Sequence, residues 1–178
     1  NGDYALRIRD EANVTLILDG ENSMCSKESN CVYVSDNSYL TITSIQGDGS
    51  SAGTLRAEGN ESVGINHAGI RGGSITVKGG TVIAKGEYEA AGIGKDAREG
   101  NTKFSISIEG GTVEADGGWG GAGIGSASRA GGNVNISISG GTVKAVGGQG
   151  SAGIGIRYDS WAKSRITITG GRTDAKGG

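Results

Sequence analysis

The residues best suited to hold a ligand are aromatic. Three residues before the alanine of each Ala-Gly-Ile-Gly motif stand Tyr88, Trp119 and Gln149, and a degenerate earlier unit offers Asn60 there. An exposed aromatic pair beside an amide suits a sugar, whose apolar face stacks on a ring while its hydroxyls find polar partners. The plainer reading is that Tyr88 and Trp119 shield the turn and the Ala-Gly row beneath them. Tyr158 and Trp161, near Arg157 and Asp159, form a second candidate group, and covering the core is its competing role.

Catalysis requires more than these residues offer. Glycoside hydrolysis takes two or three carboxylates facing each other within about 10 Å. Glu109 gives way to Lys78, Ser139 and Thr169 at equivalent positions of neighbouring units, and Glu114 falls between Ile83 and Lys144. His67 is the single histidine, so no zinc set or nucleophile–base pair is expected. No catalytic residues are assigned. Asp36-Asn37 and Asp48-Gly49 resemble calcium-loop chemistry, but turns use the same residue types routinely. Asp36 and Asp48 are therefore weak calcium candidates, and no other cofactor is expected. Cys25 and Cys31 flank a five-residue polar loop. They are a disulfide in an oxidising compartment and two unrelated thiols in a reducing one.

The positions of all these residues follow from a repeat. Ser74-Ile-Thr-Val-Lys-Gly-Gly-Thr-Val recurs in related form from Ser105, Asn135 and Arg165, in steps of 31, 30 and 30 residues. Ala-Gly-Ile-Gly begins at Ala91, Ala122 and Ala152 with the same period. A degenerate unit carries Leu40-Thr-Ile-Thr, Thr54-Leu-Arg-Ala-Glu-Gly and Val63-Gly-Ile-Asn. Each period holds three short stretches of alternating polarity, exemplified by Ile106 and Ile108, Val113 and Ala115, and Ala122 and Ile124 pointing inward. Alternation with period two marks a strand with one face buried. Gly110-Gly111 and Gly140-Gly141 let the chain turn sharply between the first two strands. Strands too short to fold alone, repeated and separated by turns, make a solenoid. The expected fold is all-β, a right-handed parallel β-helix with coils of about 30 residues, strands of successive coils lying about 4.8 Å apart.

The outward positions test this register. Arg56, Ile83, Glu114, Lys144 and Asp174 form one row of the second strand; Glu58, Lys85, Asp116, Val146 and Lys176 form another. Neither row sets like charges side by side, as opposite charges across strands stabilise by about 0.2–1 kcal/mol per pair and like charges destabilise. These charges read as structural. Residues 40–178 form one continuous run of regular repeats; residues 1–39 are less regular, with Val14-Thr-Leu-Ile-Leu and Val32-Tyr-Val as strands around the Cys25–Cys31 loop.

Composition agrees with a thin aliphatic core. The 178 residues include 37 Gly, no Pro, one Phe and two Trp. A net charge of −2 gives no reason to expect nucleic acid, and no apolar run approaches the roughly 20 residues a membrane span needs. The first residue is Asn1, and no atypical capping unit follows the last repeat, so further domains of a longer chain are expected.

The stretch from Gly110 to Gly125 resembles a repeat of secreted, wall-attached surface proteins of Gram-positive bacteria, described as carbohydrate-binding or adhesin-like. That resemblance covers roughly Leu40 to Gly178 and implies an extracellular location at the cell surface or wall. In that setting it favours the Cys25–Cys31 disulfide. The expected function is a non-enzymatic adhesion or binding module for a polysaccharide, glycan or host surface. A purely structural stalk is the second reading, and a polysaccharide lyase or hydrolase, known on this type of fold, the third.

Overall fold

The computed structural model describes residues 3–27, 29–45, 52–58, 67–98 and 100–178. Within them the chain is all-β, a parallel β-solenoid of three six-stranded sheets. The first sheet stacks β1 (Leu6–Ile8), β4 (Val32–Val34), β7 (Ile70–Arg71), β10 (Ile93–Gly94), β13 (Ile124–Gly125) and β16 (Ile154–Gly155). The second stacks β2 (Asn13–Leu18), β5 (Tyr39–Ser44), β8 (Gly73–Val77), β11 (Lys103–Ile108), β14 (Asn133–Ile138) and β17 (Lys163–Ile168). The third stacks β3 (Glu21–Met24), β6 (Thr54–Glu58), β9 (Thr81–Lys85), β12 (Thr112–Asp116), β15 (Thr142–Val146) and β18 (Arg172–Lys176). Residues 1–39 supply the first strand of each sheet and β4, and β2 pairs with β5 over six residues.

Register follows the repeat residue for residue. Ile75, Ile106, Ile136 and Ile166 pair in one row, and Ile70, Ile93, Ile124 and Ile154 in another. All are buried except Ile154, which is partly covered, and Ile166, which is 42% exposed in the outermost strand. Each fully buried aliphatic side chain contributes roughly 1.5–3 kcal/mol, so a long one-dimensional core can replace the usual aromatic one. The single Phe104 fits because its row partners are Gly73 on one side and Val134 on the other. On the outer face Glu114 pairs with Ile83 and Lys144, and Lys144 with Asp174. Lys85 reaches Glu58 at 3.6 Å, and Arg56 reaches Glu21 at 3.8 Å.

The degenerate unit is built differently from its sequence reading. Its first-sheet strand is β7, in Ala68-Gly69-Ile70-Arg71, whereas Val63-Gly-Ile-Asn lies outside the described residues. Ala68 and Ile70 are buried, so they fill the places of Ala91 and Ile93 one turn on.

Candidate functional site

The turns between the third and first sheets carry the aromatic row. Tyr88 follows β9, Trp119 follows β12 and Gln149 follows β15, so the parallel stack sets them side by side. The rings of Tyr88 and Trp119 are stacked, with centroids 5.6 Å apart and planes 17° from parallel. The Trp119 indole Nε1–H donates to the Gln149 Oε1. One face of Trp119 is thus covered by Tyr88. Tyr88 is 46% and Trp119 48% exposed.

The structure also joins Tyr158 to this row, through Arg157. Arg157 is almost fully buried, and its guanidinium carbon lies 5.4 Å from the Trp119 ring centre and 5.2 Å from that of Tyr158. A guanidinium between two rings is held by their negative faces. Its Nε lies 3.3 Å from Asp159 Oδ1, and the Ser128 hydroxyl donates to the other Asp159 oxygen at 2.9 Å. A Cβ on Gly120 would stand 2.0 Å from Arg157 Nη1, so a larger residue there would have to displace the guanidinium. Tyr158 caps the row at 82% exposure. Asn60 and Asp48 lie outside the described residues.

Trp161 does not join Tyr158. It lines a separate open concavity of about 550 Å³ with Arg98, Asn101, Arg129, Gly131 and Gly132. Asp36 lies elsewhere again, at a hollow of about 490 Å³ also lined by Asp10, Glu11, Asn37, Tyr33 and Arg71. Asp10 and Glu11 come from one turn and Asp36 from the next, and the first of these lies outside the regular period. Asp10 pairs with Arg9 at 3.1 Å, and Asp36 Oδ2 accepts from the Lys103 amide at 3.4 Å. Among the described residues no three His, Cys, Asp or Glu side chains are grouped to hold a metal ion.

The expected disulfide is absent, and both cysteines are free thiols. Cys31 precedes β4 and is buried in the core, whereas Cys25 follows β3 at the surface, its Sγ 3.3 Å from the Ser23 hydroxyl. Burial pushes the Cys31 thiol up to about 11.

Comparison with known families agrees with this geometry. A family described as beta helix repeat matches residues 75–94, 106–128 and 136–155, each run reaching from a second-sheet strand to the following first-sheet strand or its turn. No curated protein and no solved structure matches the chain. The repeat and the three parallel ladders make this chain a parallel β-helix in fold, and the matched beta helix repeat covers three of its turns.

Proposed function

We propose that this protein is a non-enzymatic, extracellular binding module that recognises carbohydrate along the edge formed by Tyr88, Trp119, Gln149 and Tyr158. The observation that carries the reading is the alignment of three substantially exposed aromatic rings with an amide on one edge of a rigid stack. Rings fixed by stacking and by Arg157 lose little freedom on binding, which favours affinity from a small contact. The parallel ladders hold them at the spacing of successive turns, a geometry suited to an extended polymer rather than a compact ligand.

The test is calorimetric titration of the intact protein with neutral oligosaccharides chosen from a glycan-array screen, with and without calcium. Trp119→Ala and Tyr158→Ala should each weaken binding by about 1–3 kcal/mol, roughly five- to 150-fold, with small loss of thermal stability. If Trp119→Ala lowers the melting temperature sharply while glycan affinity is unchanged, the row is packing. One observation favours that second reading, a structural stalk: Tyr88 and Trp119 turn their faces to each other, and the outer charges form balanced ladders.

A further inference from the structure

The charge rows of this stack obey a rule, and one row breaks it. On the sheets, neighbours of like sign are avoided, as in Glu114–Lys144–Asp174. Seven residues beyond each Ala-Gly-Ile-Gly alanine stand Arg98, Arg129 and Asp159. The Arg98 amide donates to the Ser128 carbonyl at 2.9 Å, so the two arginine-bearing turns ride directly on each other. Both arginines adopt left-handed backbone, with φ of 61° and 54°, where a side chain is disfavoured. Both are exposed, and neither side chain makes an ion pair or hydrogen bond among the described residues. Asp159 does not neutralise them, because its oxygens serve Arg157 and Ser128.

The space they border is built. Trp161 stands 75% exposed at its side, its backbone fixed by donation to the Ala130 carbonyl at 2.9 Å. Gly131 and Gly132 line it, and they are anchored from behind by the wholly buried Lys95, whose ammonium donates to the Gly131 carbonyl and to that of Thr102 at 2.8 Å. Asn101 adds an amide, and among the described residues no carboxylate lines the concavity. Its volume of about 550 Å³ suits a small ligand or one or two sugar units.

We infer that this concavity is an oxyanion site for an acidic saccharide: the Arg98 and Arg129 guanidiniums clasp a carboxylate, sulfate or phosphate group while the sugar ring packs on Trp161. A guanidinium fork matches the paired oxygens of such groups, and a bound anion removes the like-charge conflict between neighbouring turns. No metal is required. The saccharide part of this inference rests on the carbohydrate reading above; the oxyanion part stands independently of it.

The experiment titrates the intact protein, in chelator, with three tetrasaccharides of equal length (uronate, sulfated and neutral) and with inorganic phosphate. The variant is Arg98→Asn with Arg129→Asn, since asparagine tolerates left-handed backbone and keeps the turns intact. At least one acidic tetrasaccharide should bind ten-fold or more tightly than the neutral one, and the double variant should lose that advantage at unchanged melting temperature. Rising salt should weaken the acidic probe alone. Which acidic probe binds, and whether phosphate competes with it, identifies the oxyanion. Equal affinity for acidic and neutral probes, or an acidic preference that survives the double variant, overturns the site even if Trp119-dependent neutral binding is found. Phosphate binding without any saccharide binding would retain the oxyanion site and overturn its saccharide.

Discussion

The Ala-Gly-Ile-Gly motif offers a sharp test of how tightly the turns are stacked. Its last glycines, Gly94, Gly125 and Gly155, share φ values of 147°, 143° and 140°. Any side chain there costs roughly 1–3 kcal/mol of backbone strain. They differ in what a Cβ would meet. On Gly125 it would lie 1.7 Å from the Gly155 carbonyl oxygen, and on Gly94 1.9 Å from that of Gly125. On Gly155 the nearest atom is the Ala152 Cβ at 3.4 Å, an ordinary contact. Gly125→Ala must therefore push two turns apart by more than about 1 Å against a strand spacing near 4.8 Å. The bonds across that junction are Gly123 to Ala152, Ile124 to Gly153 and Ser126 to Gly155, at 3.2, 2.9 and 3.0 Å. Losing these three at a net ~0.5–1.5 kcal/mol each adds roughly 2–4 kcal/mol. At about 2–4 °C per kcal/mol for a chain of this size, Gly125→Ala should melt about 4–16 °C below Gly155→Ala. Gly94→Ala should fall with Gly125→Ala. Thermal melts by far-ultraviolet circular dichroism decide it. Equal melting of Gly125→Ala and Gly155→Ala would refute the close approach of neighbouring turns, leaving φ strain as the whole cost.

Three further outcomes are expected. Under denaturing, non-reducing conditions a thiol reagent should find two free thiols, but in the native protein only Cys25 should react quickly; finding none would restore the disulfide. Because burial raises the Cys31 pKa from an ordinary 9.0 to about 11, its contribution to stability is complete below pH 9 and disappears as pH climbs to about 11. At roughly 1.4 kcal/mol per unit that amounts to about 3 kcal/mol, and Cys31→Ala should flatten the decline of stability across this range. Glu114→Lys sets a lysine against Lys144 in the β12–β15 ladder and should cost about 0.2–1 kcal/mol, less at high salt. A salt-independent loss in urea melts would mean that the outer charges are not what is being read.

What was legible in the chain was whatever the repeat copies. Inward Ile106 and outward Glu114 could be placed because a parallel stack sets equivalent residues side by side, so one period yields every ladder partner. Where the period slips, legibility fails. Ile70 precedes Ile93 by 23 residues rather than about 30, and Arg71 replaces the last glycine of the motif, so the period points to Val63 rather than to β7. The hollow beside Asp36 was missed because Asp10 and Glu11 come from a turn outside the regular period. The period sets which residues are neighbours and which face of the strand they occupy, but not how a ring in a turn is rotated. Tyr88 and Trp119 were readable as neighbours, but not that they would spend their faces on each other, nor that Arg157 would bridge to Tyr158. At the spacing of a parallel sheet, adjacent rings stack and adjacent isoleucines pack, so a row of like residues is first of all the scaffold stabilising itself. Like charges are the exception, because repetition destabilises them. A row that repeats a charge, as Arg98 and Arg129 do, gains nothing from its own stack, and that absence of internal benefit is what separates a binding feature from a structural one in a solenoid.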